Sequence, residues 1–194
     1  MHVTNILSSH YPGAFVQQLL DHFCQGLKKA GCSYTTIDLY QRAYDPVMRG
    51  DDFNQFFDKP IPEETREYQD TVKKSQVLTF FYPVWWNDMP AVMKGWIDRV
   101  FTKGFAYNYG EEGHCGMLPV SRVLLICTLG NREQDLAPGL ENAMRAKERD
   151  GVFGYCGVPK VDHHFLYEVD NKEKCRGYLS SMTSLGEQLA KGEG

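Results

Sequence analysis

Hydrophobic and polar positions follow two different periods along this chain, one typical of β-strands and the other of α-helices. Apolar or alternating runs predict five strands, over residues 3–8, 34–39, 77–82, 123–127 and 161–167. Apolar side chains that recur every third or fourth position predict five helices, over residues 15–31, 63–74, 90–101, 140–149 and 172–191. The regular alternation of strand and helix predicts an α/β fold, with a parallel sheet covered by helices on both faces.

The most informative segment begins at the third predicted strand. Its apolar run stops at Pro83, and Trp85 and Trp86 follow before Pro90 begins the next helix. Loops at the carboxyl edge of an α/β sheet are common ligand sites, and indoles offer a flat apolar surface that suits a flat ring. The alternative is that both tryptophans belong to the core. Because Asn87 and its neighbours are typical of a loop and a helix start, we expect at least one indole near the surface of a crevice.

The first strand–helix junction, residues 8–15, predicts a phosphate site. Free backbone amides at the beginning of a helix attract anions, and His10 adds a ring donor. No serine or threonine lies between His10 and Phe15, whereas a terminal phosphate dianion is usually surrounded by hydroxyl groups. The loop therefore suits a pyrophosphate better than a terminal phosphate.

Composition narrows the function classes. The net charge of −4 comes from mixed acids and bases, so a nucleic-acid footprint is not expected. The sequence has no export signal and no apolar run near the roughly 18 residues of a membrane span, and its six cysteines have no metal-like spacing. These features predict one cytoplasmic domain with reduced thiols. Residues 41–62 are too long for an ordinary connection, which indicates a functional flap or a partner-contacting loop.

The sequence PVWW, followed by MPAVMKGWIDRVFTKGFAYNY, resembles the flavin loop, helix and aromatic hairpin of the NAD(P)H:quinone oxidoreductases of flavodoxin-like fold. That group includes the DT-diaphorases, the modulator of drug activity B proteins and the ancillary subunits of potassium efflux systems. Fainter matches occur at HYPGAF, DLYQRAYDPVM, LLICTLG and FGYCGV. The resemblance implies a flavodoxin-like, flavin-binding domain over residues 1–194, with five parallel strands in the order 2-1-3-4-5.

The resemblance also implies the site residues. The cofactor would be bound by His10, Phe15 and Val16 at its phosphates, by Pro83, Val84, Trp85, Trp86 and Asn87 on one side of its ring, by Cys127, Thr128, Leu129 and Gly130 on the other, and by Arg176 near the adenylate. Tyr107 and Tyr109 would line the substrate pocket of a neighbouring subunit. The tyrosine and histidine that the DT-diaphorases are proposed to use as a charge relay are missing from residues 131–135, so no catalytic residue beyond the flavin is expected.

The expected protein is a homodimer with FAD as cofactor, or FMN as the alternative. It would take hydride from NADH or NADPH and pass two electrons to a quinone-like or related aromatic acceptor. The main alternative is a flavin-containing regulatory subunit of a membrane transporter. A one-electron flavodoxin is less favoured, because such carriers usually present a strongly acidic face. No metal site is expected at His163 and His164, because adjacent residues on a strand point to opposite faces.

Overall fold

A computed structural model describes residues 1–192 of the chain. Its seven strands are β1 His2–Leu7, β2 Ser33–Asp38, β3 Val77–Pro83, β4 Tyr107–Gly110, β5 Gly113–Gly116, β6 Arg122–Thr128 and β7 Val161–Leu166. Five of them form a parallel sheet in the order β2-β1-β3-β6-β7, while β4 and β5 form a separate antiparallel hairpin. The predicted order counted five strands and left the hairpin unnumbered, so the strands after β3 carry different numbers here.

Four α-helices connect the strands and a fifth follows β7: α1 Phe15–Lys29, α2 Glu63–Lys73, α3 Ala91–Val100, α4 Leu140–Arg145 and α5 Lys172–Lys191. Short 3-10 helices occupy Gly50–Phe56 and Glu133–Asp135. The prediction of a single helix over residues 140–149 is wrong in helix type beyond Arg145. There the chain continues as a π-helix over Ala146–Gly154. The turns of a π-helix are wider than those of an α-helix. They are rare in proteins, and those that do occur are often found at functional sites.

The sheet separates two apolar cores. All seven residues of β3 are buried, and its successive side chains point to opposite faces. Phe80 packs on one face with Trp96 of α3 and Phe153 of the π-helix. Phe81 packs on the other face with Phe23 of α1. The predicted helix-covered parallel sheet is thus confirmed.

Close packing fixes α1 against α5. A Cβ atom on Gly26 would lie 2.1 Å from the carbonyl oxygen of Thr183, and one on Gly186 would lie 2.3 Å from that of Phe23. Only glycine fits where two helix backbones approach this closely. Because α1 begins directly after the β1 loop, this packing also sets the position of the predicted phosphate site.

The segment over residues 41–62 is packed onto α3. The buried Arg99 donates from Nη1 to the carbonyl oxygen of Asp45 at 2.7 Å and pairs with Asp52 at 3.1 Å. A Cβ atom on Gly95 would lie 2.3 Å from the carbonyl oxygen of Pro46. The segment is therefore held in place by a buried ion pair and by backbone contact. Within residues 1–192, no helix is both long enough and apolar enough to cross a membrane.

Candidate functional site

A tight turn follows β3 and presents both tryptophans. The amide of Trp85 donates to the carbonyl of Asp88 at 3.0 Å, and the amide of Asp88 donates back at 3.1 Å. The two residues between them, Trp86 and Asn87, have φ angles of 52° and 61°. Such two-residue turns usually carry Asn-Gly, since left-handed backbone costs a bulky residue about 1 kcal/mol or more. The Trp86 side chain is 98% exposed. A strained turn that displays a bare indole indicates a binding function.

The Trp86–Asn87 turn forms one wall of a cavity of about 330 Å³, here called the ring-side cavity. Val84 lies on the same wall, and Leu129, Gly130, Asn131 and Leu136 complete the lining. The two walls face each other because β3 and β6 are neighbours in register, with Pro83 beside Thr128. Within residues 1–192, the amides of Trp86, Asn87 and Gly130 donate no hydrogen bond. They are free to bind the polar edge of a flat ring.

The loop after β1, residues 8–14, is called the phosphate loop here. Its backbone is folded by hydrogen bonds onto the carbonyl of Tyr11, from the amide of Ala14 at 3.3 Å and from Ser9 Oγ at 3.1 Å. In the described part of the chain, the amides of His10, Tyr11 and Gly13 donate no hydrogen bond. Ser8 Oγ is fully buried beneath the loop and has no partner there. The free amides fit an anionic ligand, whereas the Ser8 hydroxyl is too deeply buried to reach one.

The phosphate loop meets the tryptophan turn through His10. The imidazole packs edge-on against the indole of Trp85, with ring centroids 5.2 Å apart. Both side chains are exposed at the carboxyl edge of the sheet. The structure therefore brings the predicted phosphate residue and the predicted ring residue onto one continuous surface, as a flavin nucleotide would require.

Several predicted cofactor residues can contribute only backbone atoms in this conformation. Pro83, Val16 and Thr128 have buried side chains, and Leu129 is only 5% exposed. The thiol of Cys127 points into the core, 3.5 Å from His163 Nε2. Phe15 is half-buried at the start of α1.

Arg176 lies apart from these residues. It is exposed on α5 and lines a groove with His22 and Lys29 of α1. That groove has no residue in common with the phosphate loop. The predicted role of Arg176 near an adenylate therefore stays a prediction.

The predicted tyrosines belong to an exposed aromatic patch that includes His114 and Tyr155. Tyr107 and Tyr109 lie 5.9 Å apart between ring centroids, and the hydroxyls of Tyr109 and Tyr155 are 2.6 Å apart. The ring of His114 lies 3.8 Å from that of Tyr155. Tyr155 lies within the FGYCGV stretch that carries the family resemblance, although the resemblance implies no role for it.

An apolar cavity of about 390 Å³ opens beside the aromatic patch. Tyr107 and Tyr155 line it together with Phe53 and Phe56 of the first 3-10 helix and Ile97 of α3. It has no lining residue in common with the ring-side cavity. Within one chain, the predicted substrate tyrosines and the predicted flavin ring site therefore form separate surfaces.

A buried polar cluster links the π-helix to the sheet beneath the site. Tyr82 Oη donates to Glu148 Oε2 at 2.5 Å, and His163 Nε2 lies 3.3 Å from Tyr82 Oη and 3.4 Å from Glu148 Oε2. Burial raises the pKa of Glu148 and lowers the pKa of His163 to about 3, so the imidazole is neutral. Lys147 pairs with both Asp88 and Glu148. The tryptophan turn is thereby tied to the π-helix, which ends one residue before Tyr155.

Comparison with known proteins shows the family. The model of the Flavodoxin_2 family, described as a flavodoxin-like fold, matches residues 1–182. The chain belongs to this family. It is similar to an uncharacterized NAD(P)H oxidoreductase of Escherichia coli, at 27% identity over 184 residues that cover 92% of this chain and 87% of that protein.

Two solved structures extend the comparison. An NAD(P)H:quinone oxidoreductase from Methanothermobacter marburgensis is 28% identical with a TM-score of 0.89, covering 97% of this chain and 96% of that one. An FMN-dependent NADH-azoreductase from Bacillus anthracis, solved with FMN, has 16% identity and a TM-score of 0.74, covering 98% of this chain and 100% of that one. The second likeness shows only a common fold. The expected resemblance to the quinone oxidoreductases is confirmed, and none of the relatives named here is a transporter subunit.

Proposed function

We propose that this protein is a flavin-dependent NAD(P)H oxidoreductase that passes two electrons to quinone-like or related aromatic acceptors. The ring-side cavity is the observation that carries the proposal. Its exposed indole, free amides and position at the carboxyl ends of β3 and β6 suit an isoalloxazine ring. The similarity to the Methanothermobacter marburgensis enzyme supports the same activity. The predicted cytoplasmic location and the single domain over residues 1–194 belong to this proposal.

A bound flavin would supply the redox chemistry, accepting hydride from NADH or NADPH and passing two electrons on. The chain itself contributes placement and electrostatics. Trp86 would cover one part of the ring, and the free amides of Asn87 and Gly130 would point hydrogen-bond donors at its polar edge. Fixed donors stabilise negative charge that develops during a reaction without having to reorganise.

FAD is the proposed cofactor and FMN is the alternative. The phosphate loop offers mainly amides and the His10 ring, because Ser9 Oγ already donates within the loop and Ser8 Oγ is buried. A pyrophosphate carries less charge on each phosphate than a terminal phosphate dianion, so it requires fewer donors at this loop. The FMN found in the Bacillus anthracis structure keeps the alternative open.

The proposed active unit is a homodimer. Tyr107 and Tyr109 line no part of the ring-side cavity of their own chain, so they could complete a substrate pocket only by reaching that of a second chain. The apolar cavity beside them, with Phe53 and Phe56 about half exposed, is a suitable contact surface.

The proposal is tested by purifying the protein, identifying the flavin released by acid and measuring NADH and NADPH oxidation with a panel of quinones. We expect a yellow protein that releases intact FAD and shows ping-pong kinetics with at least one quinone. A colourless protein that takes up neither FAD nor FMN would contradict the cofactor assignment. Flavin binding without turnover on any quinone, azo or nitroaromatic acceptor would contradict the activity.

A mixed dimer tests whether the pocket is shared. One chain carries Tyr107→Ala and Tyr109→Ala, and the other carries Trp86→Ala. If the tyrosines act in the partner's pocket, one pocket of the heterodimer is intact and roughly half of the parental activity is expected. Activity no higher than that of the two mutant homodimers would show that each pocket is built from one chain.

A further inference from the structure

Glu148, on the π-helix, is a buried carboxyl that the function above does not use. Its side chain accepts from Tyr82 Oη at 2.5 Å and is almost fully buried. Tyr82 lies two positions before Val84, which lines the ring-side cavity, and both pack in the same apolar core. Side chains two positions apart along an extended chain point to the same face and lie about 7 Å apart. The buried carboxyl therefore belongs to the layer beneath the cavity proposed for the flavin ring.

Lys147 joins this carboxyl to the tryptophan turn and to solvent. Its ammonium group pairs with the carboxylate of Asp88, which directly follows Asn87 of the cavity wall. The same ammonium group lies 3.7 Å from Glu148 Oε1. The Lys147 side chain is 43% exposed, whereas that of Glu148 is 3% exposed. A proton from solvent can therefore reach the buried carboxyl through a group that itself exchanges protons with water.

The other buried groups around Glu148 each keep one charge state. Burial raises the pKa values of the Tyr82 hydroxyl and the Cys127 thiol well above their ordinary values, so both groups stay protonated. Burial lowers the pKa of His163 to about 3, so the imidazole stays neutral, and it raises the pKa of Glu148. The charged or titratable groups that surround these four are Asp88, Arg145, Lys147, Arg149 and His164. Of the four buried groups, Glu148 is the one whose proton affinity moves toward neutral pH.

We infer that Glu148 takes up a proton from solvent when the flavin is reduced and releases it when the flavin is reoxidised. The inference rests on the proposed function. A hydride carries two electrons and one proton, so the reduced ring holds one more negative charge than the oxidised ring. A proton on the Glu148 carboxylate restores the net charge. When the hydride passes to a quinone, that proton returns to solvent and the quinone takes one up, so each hydroquinone formed consumes one NAD(P)H and one proton.

The size of the effect follows from the separation of the two charges. At roughly 10 Å and an effective dielectric constant of about 20, a unit negative charge on the ring raises the proton affinity of Glu148 roughly tenfold. A tenfold change in affinity corresponds to the uptake of at most about half a proton, midway between the two pKa values. At lower pH Glu148 is protonated in both redox states, and at higher pH it is ionised in both. The extra uptake is therefore confined to a limited pH range.

The test measures the midpoint potential of the flavin-loaded protein as a function of pH, since the slope gives the number of protons taken up with the two electrons. The parent should take up more protons than Glu148→Gln, by up to about half a proton, over a limited pH range. Proton uptake by the flavin itself is common to both proteins. Glu141→Gln is the matched control, because Glu141 also accepts from a tyrosine, Tyr167, and pairs with a basic neighbour, Arg145, but lies outside the buried cluster. It should keep the parental slope.

Two further measurements identify the group that takes up the proton. Lys147→Gln alters a partly exposed side chain, and the positive charge that it removes lowers the pKa of Glu148. This variant should therefore move the extra uptake to higher pH without abolishing it. Infrared difference spectra between the reduced and oxidised protein should show the carbonyl band of a protonated carboxylic acid in the parent on reduction. The band should be missing from Glu148→Gln and present in Glu141→Gln.

The inference is overturned if the parent and Glu148→Gln have equal slopes at every pH, or if the infrared band persists in Glu148→Gln. Should Glu148→Gln not fold, an unmoved pH range in Lys147→Gln overturns it equally. A colourless protein would refute both the inference and the cofactor assignment. A yellow, active protein without the extra uptake would refute the inference alone. Extra uptake without turnover on any acceptor would support the inference and refute the proposed activity.

Discussion

The neutral, buried imidazole of His163 predicts a specific loss of stability in acid. Burial lowers the pKa of His163 to about 3 from an ordinary value of 6.5. The unfolded chain therefore binds a proton below pH 6.5 that the folded protein binds only near pH 3. Proton uptake on unfolding means that the contribution of His163 is fully present above pH 6.5 and is lost as the pH falls below that value.

The size of the effect follows from the two pKa values. Between pH 7 and pH 5.5, the expected loss from His163 is roughly 1.2 kcal/mol of unfolding free energy. Glu148 makes a contribution of opposite sign to the change in unfolding free energy. Because burial raises its pKa, the folded protein takes up that proton at a higher pH than the unfolded chain does. Burial also lowers the pKa of His164, which adds a loss of the same sign as that of His163. The informative quantity is therefore a difference between two proteins that both retain Glu148 and His164.

The assay is urea denaturation of cofactor-free protein at pH 7 and pH 5.5, for the parent and for His163→Gln. The parent should lose roughly 1.2 kcal/mol more than the variant between the two pH values. Phe153→Leu is the control, since it trims a fully buried ring of the same core without removing a titrating group. It should lower stability about equally at both pH values. Equal losses in the parent and in His163→Gln would refute the assignment of a neutral buried imidazole.

Three other substitutions have direct outcomes. Trp86→Ala should weaken flavin binding by up to roughly tenfold in a fluorescence titration, because the substitution removes the contact between the indole and the isoalloxazine ring. Unchanged binding and turnover would exclude Trp86 from the site. Tyr107→Ala should lower kcat/KM for quinones and leave the flavin dissociation constant unchanged, which steady-state kinetics and titration measure separately. Gly26→Ala should destabilise the protein by about 1–3 kcal/mol in urea denaturation, since a Cβ atom there meets the carbonyl of Thr183; parental stability would show that α1 and α5 can separate without cost.

The strands and most helices could be predicted because each depends on a repeated local pattern. All seven residues of β3 are buried, so its apolar run identifies it without any tertiary information. The helix α3 begins directly after Pro90, as the proline predicts. The hairpin strands β4 and β5 have four residues each and are mostly exposed, so no apolar period marks them.

The π-helix and the buried polar cluster could not be predicted, because both depend on contacts between distant segments. From the sequence pattern, Glu148 is expected on the polar face of an amphipathic helix. Its side chain is instead buried against Tyr82, 66 positions away in the sequence. The Glu148 carboxyl lies on the wider turn of the π-helix. No local period distinguishes this turn from an ordinary α-helix.

The candidate site could be placed from the sequence, but the directions of its side chains could not. The loops after β1, β3 and β6 do lie together at the carboxyl edge. Whether Cys127 faces the site or the core depends on the exact residue at which β6 ends, since neighbouring strand residues point to opposite faces. The left-handed conformation of Trp86 also gives no sequence signal, because such turns normally carry glycine.

That conformation has a consequence for attempts to stabilise the protein. Replacing Trp86-Asn87 with Asn-Gly would relieve two left-handed residues and remove an exposed indole, so a selection for thermal resistance alone should favour the change. The same change would erase the surface on which a flat ring is proposed to lie. Heat resistance and cofactor retention should therefore respond in opposite directions at these two positions, and a library varied only there would reveal the trade-off between them.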